Sequence, residues 1–355
     1  MNTAKHVACV HLGRNWPVLS SAAMRRLLVV VLAGLAACSP APQGDALPRL
    51  NIAPGSLTVS GVSAGGYMAT QYQVAFSKDV TGAGIIGAGP WLCAQGVVTR
   101  AMNDCLAGTA SGPDDRVLAA ALRASAALGV VDDPSGLATD RIWMFHGARD
   151  DTVGAVVSDS LLRFYKAFVP IDRVRYETQV AAAHGFPTIA DGGACDVAES
   201  PWILACGFDA AGEMLKHLYD GLAAPSGELT GALREFGQSR YVGDSRLASM
   251  AKTGFVFVPD ECAAGAPCRV HVAFHGCRQG IGFIGRSFAR QAGYNRWADA
   301  NRIVMLYPQV EKSGVWPLNP GGCWDWWGYT GANYASRDAT QLEAVHRMLT
   351  ALGVT

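Results

Sequence analysis

LTVSGVSAGG, residues 57–66, holds the turn on which the reading of this chain rests. Residues 57–62 read as a short buried strand. From residue 64 the pattern changes: Met68, Tyr72 and Phe76 recur at i, i+4 and i+8, the spacing of one helix face. Between them stands Gly61-Val62-Ser63-Ala64-Gly65, the only G-x-S-x-G in the sequence. Strand and helix can close on each other through so sharp a turn only where no Cβ intervenes. A serine in a glycine-rich turn is often structural. Set between a strand and a helix it becomes a candidate nucleophile, lifted clear of the strand with helix amides behind it.

A serine hydroxyl attacks poorly until a base takes its proton, and the base must be oriented by an acid. In enzymes with this turn both partners follow the serine, on loops leaving later strands. RIWMF, residues 141–145, reads as such a strand and runs into His146-Gly147-Ala148-Arg149-Asp150-Asp151-Thr152-Val153. The spacing to Val153 favours Asp150 as the acid over its neighbour Asp151. The next strand, residues 173–180, leads to Ala183-His184-Gly185-Phe186-Pro187, which makes His184 the candidate base. The other histidines have plainer explanations. His6 and His11 fall in a leader, His146 and His275 in strand-end His-Gly turns, His271 within a strand, and His217 and His346 on helices.

Acyl transfer also needs two donors where the carbonyl oxygen becomes an anion. The amide after the nucleophile, that of Ala64, supplies one. The second ordinarily comes from a glycine-bearing loop after an early strand, and nothing upstream of Ser63 fits. The loop stands downstream instead: RVHVAF, residues 269–274, ends in His275-Gly276-Cys277-Arg278-Gln279-Gly280. Joining the two chain ends restores the usual order, so a circularly permuted α/β-hydrolase is expected, with the Cys277 amide as second donor. A catalytic thiol at Cys277 is the alternative, set against its pairing with Cys323.

Further strands are expected at 82–86, 254–258 and 302–307. Helices are expected at 64–76, 117–128, 158–168, 212–222, 287–300 and 337–352, the last capped by Ser336. Strands alternating with helices predict a mostly parallel sheet covered on both faces. Basic and acidic residues number 29 each, so nothing draws the chain to nucleic acid. Half the residues are apolar and 16% are charged, as suits a single large core.

Arg25-Arg26 precede an apolar run, residues 27–35, too short to span a bilayer. It closes in Leu35-Ala36-Ala37-Cys38, which resembles a lipobox with Cys38 as the lipidated residue; simple signal cleavage near Ala37 is the alternative. Met24 is a candidate true start. Residues 1–44 are thus expected to be leader and tether, and 45–355 one catalytic domain that is exported, either as a periplasmic or cell-surface lipoprotein or as a secreted protein. Apart from Cys9 and Cys38, eight cysteines remain: Cys93, Cys105, Cys195, Cys206, Cys262, Cys268, Cys277 and Cys323. An even set in an oxidising compartment favours four disulfides. Sequence leaves connectivity open, but the close pairs 93/105, 195/206 and 262/268 suggest local staples, which leaves Cys277 with Cys323. No cysteine cluster has zinc-site spacing, and neither metal nor organic cofactor is expected.

The segment Gly321-Gly322-Cys323-Trp324-Asp325-Trp326-Trp327-Gly328-Tyr329 carries three tryptophans and a tyrosine. Core packing explains such residues by default. In a glycine-rich loop, Trp324, Trp326, Trp327 and Tyr329 are also candidates to line a substrate subsite.

GVSAGGYMA, HGARDDTV, AHGFP, FHGCRQG and NPGGCWDWWGY, in that order, resemble the secreted polyhydroxybutyrate depolymerases with a circularly permuted α/β-hydrolase domain. The resemblance extends from about residue 50 onward. It implies hydrolysis of poly(3-hydroxybutyrate) or its oligomers, with Ser63 as nucleophile, Asp150 as acid and His184 as base. It also implies oxyanion donors at Ala64 and Cys277 and a hydroxyacyl-binding role for the tryptophan loop. Many such enzymes carry a separate polymer-binding domain, and no such segment is expected here. Two rivals are a general short-chain or feruloyl-type esterase, and a lipid-anchored binding protein on a hydrolase scaffold.

Overall fold

Parallel strands need helical crossovers, and the chain supplies them between most of its strands. The computed structural model describes residues 44–355 apart from 110 and 244; Cys38, Met24 and the rest of the leader lie outside the described residues. Along the chain run β1 (Ile52–Val62), β2 (Val80–Ile86), β3 (Arg141–Phe145) and β4 (Val174–Glu177). Three very short strands follow, β5 (Phe186–Thr188), β6 (Gly193–Ala194) and β7 (Ile203–Ala205). Then come β8 (Ala232–Gly237), β9 (Thr253–Val258), β10 (Cys268–Phe274) and β11 (Ile303–Tyr307). The large sheet has eight strands in the order β4-β3-β2-β1-β10-β11-β9-β8, and β5, β7 and β6 form a small second sheet. From β4 to β11 every pairing is parallel; β9 and β8 complete the edge antiparallel.

Side chains alternate across this sheet, and each face is covered. On β3, Ile142 and Met144 pack into a core shared with α1 (Ala64–Ala75), α2 (Asp115–Ala127), α3 (Ala155–Lys166) and α6 (Thr340–Leu352). Trp143 and Phe145 point the other way, towards α4 (Ala210–Leu218) and α5 (Tyr294–Ala300). α2 shows how the local sequence makes such a helix. Asp114 accepts the Arg116 and Val117 amides as its cap, and Leu118, Ala119 and Leu122 bury one stripe. Each fully buried leucine stabilises the fold by about 1.5–3 kcal/mol. Beneath the second face lies a polar cluster: His271 bonds Thr58 at 2.6 Å and Ser60 at 2.7 Å, with Tyr219 and Tyr294 bonded to the same hydroxyls. Burial pushes the His271 ring down to about 3, so it is neutral.

Several expectations need correction. The helix expected over 287–300 is two pieces, Ser287–Gln291 and α5, broken where Gly293 adopts a left-handed φ of 84°. Ser336 does not cap α6: its hydroxyl bonds the Asn333 carbonyl at 2.6 Å, and the helix starts after Ala339. β8 and the small sheet fall where no strand is expected from the sequence. β8 carries exposed Arg234 and Glu235, charges that suit an edge strand and mask its apolar alternation. The disulfides join Cys93–Cys105, Cys195–Cys206, Cys262–Cys268 and Cys277–Cys323.

Candidate active site

Parallel strands end at the same edge, so the loops after β1, β3, β4 and β10 converge. Ser63 caps β1 and opens α1 with φ 58° and ψ −125°, a conformation that costs a non-glycine residue on the order of 1–3 kcal/mol. The turn is held by the Ser63 amide, which donates to Ile86 at 2.9 Å, and by the glycines. A Cβ on Gly61 would overlap the Gly65 carbonyl, and one on Gly65 would overlap the Phe274 and His275 carbonyls. The Ser63 side chain makes no capping bond and is left free.

The acid and histidine loops are laced together by backbone bonds from Ala148 to Val180 and from Arg149 to Ala182. Across them His184 Nδ1 lies 2.8 Å from Asp150 Oδ2. The other Asp150 oxygen accepts the Thr152 and Val153 amides, each at 2.9 Å. Burial pushes the Asp150 carboxyl up, but the His184 ring and the two amides outweigh it and hold it below the usual carboxylate value. An ionised carboxylate only accepts, so Nδ1 donates and Nε2 is the basic nitrogen of the neutral ring. Asp151 is exposed and lies outside this pairing. The small sheet and the Cys195–Cys206 bond anchor the histidine segment: Ala183 donates to Cys195, and Phe186 pairs with Ile203.

The loop after β10 is built differently. Gln279 is buried; its carbonyl oxygen accepts the Gly276 amide at 2.7 Å, and its amide nitrogen donates to Pro201 and Trp202 at 3.0 Å. His275 Nε2 accepts the Val310 amide, so Nδ1 carries the proton and donates to Gly276. Burial pushes this ring down to about 4. The Cys277–Cys323 disulfide ties the loop to the aromatic segment, which rules out a free thiol at Cys277. Among the described residues no acceptor is bonded to the Cys277 amide. Ala64 is the first residue of α1, so its amide has no acceptor within the helix.

These loops surround a cavity of about 370 Å³, reached by Ser63, His184, Cys277, Leu106, Trp202 and Trp326 among others. Of the four aromatic residues singled out in the sequence, only Trp326 lines it. Trp324 is wholly buried against Phe274 and His275, and the Tyr329 hydroxyl donates to Cys323. Trp327 is half-buried between Trp326 and Tyr329. Of the residues expected to line a subsite, Trp326 alone stands at this cavity, on a folded framework. That framework turns on buried Asp325, whose carboxylate accepts the amides of Trp327, Gly328, Tyr329 and Thr330 and the Thr330 hydroxyl. Tyr67, one helical turn after Ser63, stacks on Trp326 at 4.5 Å, and its hydroxyl donates to the Cys105 carbonyl beside Leu106. Sequence reading missed Gln279, Leu106 and Trp202, because each acts through contacts distant in the chain. Among the described residues no group of three or more His, Cys, Asp or Glu side chains could hold a metal ion.

A strained serine turn and a carboxylate-bound histidine, at one edge of a mostly parallel sheet clad on both faces, define an α/β-hydrolase. No family model matches the chain. It is 40% identical over 308 residues to the poly(3-hydroxybutyrate) depolymerase of Delftia acidovorans, covering 85% of this chain and 60% of that protein's length. It is 36% identical over 315 residues to the polyhydroxybutyrate depolymerase of Talaromyces funiculosus, covering 84% of this chain and 90% of that one. The crystal structure of PHB depolymerase from Penicillium funiculosum matches with a TM-score of 0.79 at 35% identity, over 86% of this chain and 98% of that one. A PHB depolymerase variant complexed with an R3HB trimer gives a TM-score of 0.79 at 34% identity, with the same coverage of 86% and 98%. The chain belongs to the polyhydroxybutyrate depolymerase family.

Proposed function

We propose that this protein is a serine carboxylic-ester hydrolase that cleaves poly(3-hydroxybutyrate) or 3-hydroxybutyrate oligomers. The observation that carries the reading is the Asp150–His184 pair opening, with Ser63, onto one cavity. His184 Nε2 takes the Ser63 proton as the hydroxyl oxygen attacks the ester carbonyl. The Ala64 and Cys277 amides receive the oxyanion, and each such donor is worth about 2.7–4 kcal/mol in the transition state. The tetrahedral intermediate then expels the alcohol, protonated by His184, and leaves an acyl group on Ser63. Water, deprotonated by the same nitrogen, releases the acid and restores the serine. Trp326 is the substrate-facing aromatic residue, and the bound trimer in the solved relative supports a hydroxyacyl chain in this cavity.

The same reading makes the domain a circular permutant. Were the chain to start at β8, its strands would lie in the sheet in chain order but for one exchange, of β10 and β11. The first and last segments of the domain are adjacent, since the Leu50 amide donates to the Leu352 carbonyl at 2.8 Å. Residues 1–44 serve as leader and tether, with Cys38 lipidated, and 45–355 as the catalytic domain. Four disulfides support export to an oxidising compartment. Mass spectrometry of the native N-terminus tests the anchor: an unmodified residue other than Cys38 at the mature end removes it.

Fluorophosphonate labelling followed by peptide mapping tests the chemistry. Modification of Ser63, absent from Ser63→Ala, is the expected result; labelling elsewhere overturns the assignment of Ser63, and no labelling would favour a binding protein on a hydrolase scaffold. Faster hydrolysis of 3-hydroxybutyrate dimers, trimers or polymer granules than of feruloyl and other aryl esters separates depolymerase from general esterase.

A further inference from the structure

The cavity wall holds one charge that ester cleavage does not use. Arg278 lines the cavity immediately after the Cys277 donor and is exposed. No Asp or Glu lines the cavity, and among the described residues no carboxylate pairs with the Arg278 guanidinium. Its backbone is fixed in an unusual way. φ is 59°, in the left-handed region where glycine is unstrained, and the Arg278 amide donates to Gly321 at 2.7 Å. The neighbouring Cys277–Cys323 disulfide joins the same two segments. A long cationic side chain is thus held on a rigid loop, beside the oxyanion position, with no partner of its own.

We infer that Arg278 receives the free carboxylate of a linear hydroxyacyl oligomer, so that the enzyme releases hydroxy-acid units from the carboxylate end. The inference deepens the esterase reading and rests on it. In a 3-hydroxy-acid oligomer the terminal carboxylate belongs to the alcohol part of the last ester, two carbons from the ester oxygen. Placing that ester at Ser63 brings the carboxylate to the rim of the cavity, within the compass of a guanidinium that can offer two parallel N–H donors. An interior ester of a long polymer presents an uncharged ester group there instead. Each turnover consumes one water. The C–O bond of the last ester breaks, and the hydroxy acid leaves with its hydroxyl protonated by His184. Hydrolysis of the acyl-Ser63 then frees a shortened chain with a new carboxylate.

The test compares a 3-hydroxybutyrate trimer acid with its methyl ester, blocked only at the carboxyl. In wild type kcat/KM is expected to favour the acid by about tenfold at low salt, a charge-assisted hydrogen bond's worth. The ratio falls to near unity in Arg278→Gln, is partly kept in Arg278→Lys and is inverted in Arg278→Glu. Being internal to each preparation, it stands whatever a substitution does to overall activity. Raising the salt to 0.5 M shrinks the preference in wild type and leaves the Gln variant unmoved. Equal ratios in wild type and Arg278→Gln, or no preference in wild type, overturn the role of Arg278 while the esterase reading stands. If wild type cleaves neither trimer, the substrate reading falls and this inference with it.

Discussion

The Ser63 turn and the Cys277 loop leave neighbouring parallel strands, β1 and β10, and line one cavity, yet they are rigid for different reasons. Around Ser63 the constraint is steric: Gly61 and Gly65 let backbone pass where no side chain fits. Around Cys277 it is polar and covalent, from buried Gln279, His275 and a disulfide. A steric constraint leaves its mark in a short run of residues. A polar one is written in partners far along the chain.

The sharpest way to break the first half is at its centre. Ser63→Ala should lower kcat for p-nitrophenyl butyrate by about 10⁴-fold or more with the fold intact by circular dichroism; near-normal turnover would remove the nucleophile. Gly65→Ala should come next. Its methyl has nowhere to go but into the Phe274 and His275 carbonyls, so a stability loss of about 1–3 kcal/mol by urea titration should accompany a large fall in activity.

The second half should yield in smaller steps. Gln279→Ala strips partners from the Gly276 amide and from two carbonyls. We expect kcat to fall roughly tenfold to a hundredfold with KM little changed, since the lost order concerns the transition-state oxyanion. A changed KM at constant kcat would point to substrate binding instead. The Cys277→Ser, Cys323→Ser pair should cost about 2–4 kcal/mol of stability and several-fold in kcat. Wild-type kinetics in that variant would show that Gln279 alone suffices.

The smallest effect is one of pH. His275 binds a proton at about 4 when folded and near 6.5 when unfolded, so the unfolded chain holds more protons between these values. Stability contributed by the neutral ring is therefore full above pH 6.5 and lost as pH falls towards 4. Urea midpoints at pH 7, 5.5 and 4.5 should show that slope, reduced in His275→Asn. An unchanged slope would assign acid sensitivity to other groups, the buried His271 foremost.

This contrast explains what could be read in advance. The order of most strands and helices was legible, as was the meeting of the loops that carry Ser63, Asp150 and His184, because each of these residues lies in a short motif after a strand. Local periodicity could not find β8, whose outward charges disguise it, nor the break at Gly293, where an otherwise helical pattern continues through a left-handed residue. The tryptophan segment admitted two readings, core packing by default and a binding surface from its aromatic density, and Asp325 folds most of it inward around five hydrogen bonds. Composition cannot tell a displayed tryptophan from a buried one when the organising carboxylate is satisfied by backbone.

Tyr67 rides on the helix that Ser63 begins, flat against Trp326 and bonded to the segment that carries Leu106. One girder thus sets both the Ser63 hydroxyl and the two apolar panels that flank it. Reshaping the enzyme for a bulkier acyl chain should therefore begin at Leu106 or Trp326, on the panels themselves. A change at Tyr67 would slacken the frame that carries Ser63.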